Sequence, residues 1–417
     1  MCVVWDFGLA HNSVETREYV QNHLWGERAS VPAEWNAVTD EHIFAESCFS
    51  WHLQKMNSAS SFDGCWRQLR EAKDNNGNRH FKYLRTLFVI LTDAAQKEMR
   101  RIGGVCSVSL RDIHRAVSLF PFLYDVQVHY HACHYVHNAA ANSEEPFRLL
   151  QRALSASFVM NYLLRLPDGH RVEVENVLLE RWRVFRHQVS GALDREFLEA
   201  PNSLYDDADN IAEKVCECLV IDEGMAVNNA LKENVLSLFC SIMHPIGNLS
   251  QIIAGRPGST KSASLDALVV SSDRACTDQR SRFFKNWKPI KKFVVQCTRE
   301  TTAQAILRVA KSAATHQRMR DSIEPVQCVL VLEEVGIAVN SKHNPLMVLH
   351  SLIDTGVVLD DGTVVRIPII GISNYSLDAA KMNRMRITFR GNPRLDDLKH
   401  TARTLMRQQA RKVMNSS

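Results

Sequence analysis

The amino-acid sequence predicts an α/β fold in which a parallel five-stranded sheet lies between helices and an all-α region precedes it. Two observations carry this prediction. Apolar stripes at helical spacing fill the first half of the chain, and short β-branched runs alternating with helices fill the second half. The chain has 417 residues, of which 45% are hydrophobic and 23% are charged. It is therefore long enough for two or three folded domains.

The helical region is predicted from segments with recognisable ends. Helices are expected over residues 82–101, from 110 onward, from Ser143 to 166 and over 171–189. Ser109 is a candidate N-cap for the second helix, and two glutamates and a proline occupy the first turn of the third. Residues 193–210 are acidic and contain proline and asparagine, so they are predicted to form a surface connection.

The sheet is predicted from five apolar runs in the second half. They follow a helix over about residues 227–243 and cover residues 249–254, 291–297, 326–332, 366–373 and 386–389. Near-continuous apolar strands that alternate with helices are typical of a parallel sheet covered on both faces.

Composition excludes several function classes. The net charge of +4 gives no indication of a nucleic-acid or membrane-surface partner, and no apolar run reaches the roughly 18 residues of a membrane helix. Eleven scattered cysteines without a CxxC pair indicate reduced thiols and a cytoplasmic location.

A phosphate-binding motif follows the first predicted strand and precedes a predicted helix. Its letters, GRPGSTKS, fit the P-loop pattern GxxxxGK[ST] except at Thr260, where the pattern has glycine. The loop N–H groups and Lys261 are expected to hold phosphates, and the Ser262 hydroxyl is expected to bind Mg²⁺. The alternative is a turn that happens to precede a lysine. The residues of the predicted ATP site are Gly255, Arg256, Pro257, Gly258, Ser259, Thr260, Lys261 and Ser262.

Polar residues at the ends of later strands strengthen this prediction. Glu333 and Glu334 end the third strand, where a P-loop ATPase needs one acid near Mg²⁺ and a second to polarise the attacking water. Asn374 ends the fourth strand, in position to contact the γ-phosphate. Arg384 is a candidate for charge stabilisation across a module interface, although a lone arginine is more often part of a solvated face.

The same motifs resemble an AAA+ module of the mysterin family, giant dynein-like AAA+ proteins that are also RING-type E3 ubiquitin ligases. The resemblance rests on GRPGSTKS, VLVLEEVGIA, HNPLMVLHSLIDTG and GISNYSLDAAKMNR. It implies a P-loop AAA+ core in which a hydroxyl residue at Thr260 is expected. The family's acidic strand end reads DEVGLA, so Glu333 is a departure. The resemblance implies ATP-driven remodelling that is coupled to ubiquitin transfer. The residues that carry out ubiquitin transfer are not assigned to this chain.

The resemblance extends upstream and implies four segments. Residues 1–126 resemble the helical lid of a preceding AAA+ module, which includes residues 3–8 and puts Arg111 at a sensor-2-like position. Residues 127–225 are predicted to form a helical connection, residues 226–394 the AAA+ P-loop ATPase core, and residues 395–417 the start of a truncated lid or tail. On this interpretation the chain is a fragment of a much longer protein or a truncated gene product. Its expected partners are neighbouring AAA+ modules of the same or another chain and an unknown protein substrate.

Three functional hypotheses remain open at the sequence level. The first is an ATPase module, weak in isolation, that uses ATP and Mg²⁺. The second is a non-hydrolysing nucleotide-binding scaffold, suggested by Thr260 and Glu333. The third is a helical interaction protein whose motif match is accidental.

A separate cluster of possible metal ligands contains His129, His131, Cys133, His134 and His137. A metal site is conceivable, but the spacing fits no structural zinc pattern, so packing between helices is the favoured interpretation.

Overall fold

The computed structural model describes residues 79–103, 108–134, 146–189, 199–222, 224–244, 250–339, 341–375, 384–393 and 395–416. Its first part is helical, as predicted. The helices of this region are α1 (Arg79–Gly103), α2 (Leu110–His134), α3 (Pro146–Asn161), α4 (Asp168–Gln188) and α5 (Leu204–Glu217), with a 3₁₀ turn at Leu163–Arg165.

The second part contains the sheet and the helices that cover it. The strands are β1 (Gln251–Gly255), β2 (Ile290–Gln296), β3 (Gln327–Glu333), β4 (Val357–Val358), β5 (Val364–Val365), β6 (Ile369–Ser373) and β7 (Arg386–Arg390). The helices are α6 (Asn229–Met243), α7 (Lys261–Ser272), α8 (Ala303–Asp321), α9 (Val335–Ala338), α10 (Val348–Asp354) and α11 (Leu395–Ser416). Two 3₁₀ segments, Gln279–Asn286 and Pro345–Met347, connect them.

The five predicted strands form one parallel sheet in the order β2-β3-β6-β1-β7, which confirms the predicted fold class. All five therefore end at the same edge, which we call the carboxyl edge. Neighbouring side chains along β1 point to opposite faces, as strand geometry requires. Ile253 belongs to the hydrophobic core shared with the helical region, whereas Ile252 belongs to a second core on the other face.

The prediction that residues 193–210 form a surface connection is wrong from residue 204 onward. Residues there form α5, whose Leu204, Ala208 and Ile211 are buried. Ser203 caps the helix by accepting a hydrogen bond from the Asp206 N–H at 3.2 Å. The helical spacing of the apolar residues therefore outweighs the acidic composition between them.

The sequence prediction also missed a short antiparallel hairpin, β4–β5, which lies outside the main sheet. Asp361 and Gly362 form the turn, and Gly362 has a φ of 81°. An Asp-Gly pair between valine pairs is a hairpin signal that could have identified it.

Candidate functional site

The loop between β1 and α7 begins with a glycine for a steric reason. A Cβ on Gly255 would lie 2.4 Å from the Cβ of Arg390, because β7 pairs with β1 in register at this position. Only glycine lets the two strands approach while the chain turns toward α7. The close approach of β7 therefore requires a glycine at the first position of the motif.

Thr260 occupies a backbone conformation that β-branched residues rarely adopt. Its φ and ψ are 56° and 16°, in the left-handed region, where a residue with a Cβ is disfavoured by about 1–2 kcal/mol. The glycine of the usual pattern would fit here without strain. The Thr260 carbonyl oxygen accepts hydrogen bonds from the Ser264 N–H at 2.9 Å and the Ser264 hydroxyl at 2.7 Å, so α7 holds it from one side.

The Lys261 amine lies at the centre of the loop and is buried. It donates to the carbonyl oxygens of Gly255 at 2.6 Å and Arg256 at 2.8 Å, and to the Asn374 side-chain oxygen at 3.3 Å. Burial lowers the pKa of Lys261, and the charges of Glu334 and Glu333 partly oppose this effect. To bind a phosphate, the ammonium group would exchange at least one of these protein oxygens for a phosphate oxygen.

Glu334 and Asn374 meet at the carboxyl edge, as their positions at strand ends predict. The Asn374 amide donates to both carboxylate oxygens of Glu334, at 3.0 and 2.9 Å. Because its oxygen also accepts from Lys261, Asn374 bridges the cation and the acid. Glu334 has a φ of 53°, and residues in such conformations concentrate at functional sites.

The two predicted magnesium ligands are half-buried at this edge. Ser262 is in the first turn of α7, and Glu333 is the last residue of β3. Hydroxyl and carboxylate oxygens suit Mg²⁺, which keeps several waters and needs few protein ligands. The residues present therefore fit the ion. No group of three or more His, Cys, Asp or Glu side chains that could hold a metal occurs among the described residues.

Arg384 lies at the other end of the strands. It precedes β7, whereas Arg390 at the end of that strand is beside the loop, so the length of the strand, about 13 Å, separates Arg384 from the carboxyl edge. Its guanidinium pairs with Asp354, and the guanidinium of Arg111 lies 3.9 Å from the same carboxylate. The structure therefore brings Arg384 and Arg111 together but not to this loop.

Sequence reasoning missed two residues that contact the loop. The side-chain amide of Asn234, on α6, donates to the Ser259 carbonyl oxygen at 2.9 Å. Arg390 donates from Nε to the Asn234 side-chain oxygen at 2.7 Å. Asn234 carries no motif signal, because its role depends on how α6 packs beside β1 and β7.

The histidine-rich segment makes packing contacts at the end of α2. The His129 ring lies 5.7 Å from the Phe283 ring and 5.8 Å from the Trp287 ring, and His134 stacks on Tyr130 at 4.2 Å. His137 lies outside the described residues, as do residues 3–8.

Comparison with known proteins identifies the segment that contains this site. Residues 224–397 match the family model described as the RNF213 AAA domain. This segment is an RNF213-type AAA domain. RNF213 is mysterin, so the predicted resemblance is confirmed. The match argues against an accidental motif, while the predicted domain boundaries stay predictions.

Relatives of the RNF213 type align over more than this domain. The chain is 28% identical to the mouse (Mus musculus) E3 ubiquitin-protein ligase RNF213 over 325 residues, and 28% identical to the human (Homo sapiens) protein over 318 residues. It is 27% identical over 312 residues to the zebrafish (Danio rerio) E3 ubiquitin-protein ligase rnf213-beta. Each alignment covers 74% of this chain but 6% of the relative, so the chain spans a small part of their length.

Among the described residues, no helix is both long and apolar enough to cross a bilayer.

Proposed function

We propose that the RNF213-type AAA domain of this chain binds ATP with Mg²⁺ and hydrolyses ATP to drive conformational change in a larger AAA+ assembly. The observation that carries the proposal is the chain of contacts Lys261–Asn374–Glu334 at the carboxyl edge. It links a buried cation to an acid through one polar side chain, next to a P-loop. Phosphoryl transfer depends on such positioned charges more than on covalent chemistry.

Each side chain then has a distinct role in the proposed reaction. The loop N–H groups and Lys261 hold the phosphates. Ser262 and Glu333 hold Mg²⁺, which supplies charge neutralisation on the phosphate oxygens. Glu334 orients the attacking water, and Asn374 senses the γ-phosphate through the Lys261 and Glu334 contacts that it already makes.

Arg384 has a separate proposed role. It serves the nucleotide of a neighbouring AAA+ module, in the same or another chain, because it lies at the edge opposite its own loop. For this reason the chain alone should bind ATP but turn it over slowly. The assembly is proposed to be cytoplasmic. The RNF213 relatives are named E3 ubiquitin-protein ligases, so a link to ubiquitin transfer belongs to this proposal, although the transfer chemistry is not assigned to this chain.

A non-hydrolysing nucleotide-binding scaffold is the second candidate. One observation favours it: both oxygens of Glu334 accept from the Asn374 amide, so the carboxylate is engaged rather than turned toward a water. Nucleotide would then serve as a structural ligand. Single-turnover hydrolysis of ATP with and without Mg²⁺ separates the two candidates, since the scaffold binds ATP but forms no ADP.

Nucleotide binding itself is tested with Lys261→Ala. The expected result is the loss of labelled-ATP binding in an equilibrium titration while the circular dichroism spectrum is unchanged, because the cation aimed at the phosphates is removed. Lys311→Ala is the matched control, since Lys311 is an exposed lysine paired with Asp360 at 2.8 Å. Retained ATP affinity in folded Lys261→Ala protein would overturn the P-loop assignment.

A further inference from the structure

The P-loop contacts a side chain from outside its own motif. Asn234, on α6, is fully buried, and its amide nitrogen lies 2.9 Å from the Ser259 carbonyl oxygen and 3.4 Å from the Thr260 hydroxyl oxygen. Ser259 and Thr260 flank the peptide bond that leads into α7. The contact therefore acts on the turn that aims the loop N–H groups.

The backbone conformation of Thr260 explains why this contact is needed. A β-branched residue in the left-handed region is strained, and such conformations persist only when the surrounding structure fixes them. The Thr260 carbonyl oxygen is fixed by Ser264, within α7. The preceding Ser259 carbonyl oxygen is fixed by Asn234, and the Thr260 hydroxyl also donates to it at 2.8 Å.

The orientation of the Asn234 amide is set by a second buried residue. Arg390 Nε donates to the Asn234 side-chain oxygen at 2.7 Å, and a guanidinium can only donate, so the amide nitrogen must face the loop. Arg390 is paired in turn with Glu233, the residue before Asn234 on α6. The arginine is thus held from two sides at the end of β7.

We propose that Asn234, oriented by Arg390, is a positioning residue that holds the Ser259–Thr260 peptide in the conformation needed for phosphate binding. It does so because Thr260 replaces the glycine that would adopt this conformation without help. The proposal rests on the proposed nucleotide binding for its affinity readout. Its structural part, the fixed loop, is independent of nucleotide.

The experiment is a double-mutant cycle between Asn234→Ala and Thr260→Gly. Affinities for ATP, ADP and adenosine are measured for the parent, both single variants and the double variant. Hydrogen exchange of the backbone amides of Arg256 and of residues 258–262 is measured in the same proteins without nucleotide. Ser241→Ala is the matched control, because Ser241 is buried two turns further along α6 and bonds to Gln251 at 2.7 Å rather than to the loop.

The expected result is coupling between the two positions. Asn234→Ala should weaken ATP and ADP binding by about tenfold or more, leave adenosine unchanged and speed exchange in the loop. In the Thr260→Gly background the same change should weaken ATP binding by less than about threefold. Ser241→Ala should leave loop exchange and nucleotide selectivity unchanged. If Asn234→Ala does not fold, Asn234→Leu replaces it, since leucine has nearly the size of asparagine and removes the donor to the loop without adding a charge.

An equal effect of Asn234→Ala in both backgrounds would overturn the proposal, and so would unchanged loop exchange. Failure of the parent to bind ATP would instead overturn the proposed function. Even then, the hydrogen-exchange arm of the cycle still decides whether Asn234 fixes the loop.

Discussion

The carboxyl edge of the sheet and the core of the helical region both contain buried charged groups, but they use them differently. At the carboxyl edge, Lys261 is bonded to neutral oxygens of the loop and of Asn374, and it lies beside a strained turn. In the helical core, Asp112 is buried, and its carboxylate accepts from the Ser109 N–H and pairs with Arg115 and Arg165. Burial alone therefore does not identify a functional charge. The difference is whether neutral groups or opposite charges bond to it directly.

The helical core also contains a carboxyl group that lies at the opposite extreme. Asp125 is buried, and its Oδ2 atom has no hydrogen-bond partner among the described residues. Burial alone raises its pKa to about 8. Such a group is protonated in the folded protein at neutral pH and should make stability depend on pH rather than take part in chemistry.

Asp125→Asn should give the largest effect, a change in how the unfolding free energy depends on pH. It would sharpen the contrast between buried charges that serve stability and those that serve chemistry. Folding raises the pKa of Asp125 from 3.8 to about 8, so the contribution of Asp125 to the stability of the parent is complete below pH 4 and is lost as the pH rises toward 8. The slope is about 1.4 kcal/mol per pH unit in that window. The neutral amide removes this slope, so the variant should gain stability over the parent between pH 6.5 and 8. Urea unfolding at several pH values measures it.

The pH window for this measurement is set by His114. Burial, with smaller contributions from His244 and Arg115, lowers the pKa of His114 to about 4. This histidine contributes stability that is lost as the pH falls from 6.5 toward 4, which opposes the Asp125 effect there. Asp112→Asn is the control, because it should destabilise by a similar amount across pH 6.5–8 by breaking satisfied contacts. An unchanged pH slope in Asp125→Asn would show that Asp125 ionises normally in the folded chain.

Glu334→Gln should give the next largest effect, a slower hydrolysis of ATP. It tests whether the charges at the carboxyl edge serve chemistry rather than stability. The amide keeps the shape of the side chain but cannot accept a proton, so ATP binding should persist while single-turnover hydrolysis falls by about tenfold or more. Stability should change little, since Glu334 is half-buried. Glu333→Gln is the comparison at the adjacent position, and it should weaken the dependence of ATP binding on Mg²⁺ instead. If hydrolysis falls with Glu333→Gln and not with Glu334→Gln, the two acids have exchanged roles.

Most of the fold follows from the sequence because the strands are continuous apolar runs. The predicted strand positions agree with β1, β2, β3 and β7 within two residues, whereas β6 begins three residues later than the predicted run. The helix α5 was missed because its acidic residues hid the spacing of its apolar ones. In such a segment the period of the apolar positions decides the structure, while the charges lie mostly between them.

The site was predictable only where backbone topology determines it. Lys261, Glu334 and Asn374 meet because the carboxyl ends of parallel strands share one edge. Asn234 and Arg390 could not be found in this way, since their contact joins residues 156 positions apart through the packing of α6 beside β7. Side-chain contacts of that range leave no short motif in a single sequence.

Arg384→Ala should have the smallest effect in this chain, and its effect depends on what the chain is joined to. Arg384 and Asp354 form a partly exposed ion pair at the edge opposite the loop, so its loss should change the unfolding free energy by less than about 1 kcal/mol. The affinity for ATP should be unchanged, because the length of β7 separates Arg384 from the loop. In a longer protein that includes the neighbouring module, the same change should lower the turnover of that module, where an arginine finger is worth about 10³ to 10⁵ in rate.

Asp354→Asn is the control for Arg384→Ala, because it breaks the ion pair while leaving the arginine free to act. Unchanged turnover of the neighbouring module in the Arg384→Ala protein would contradict a role in trans.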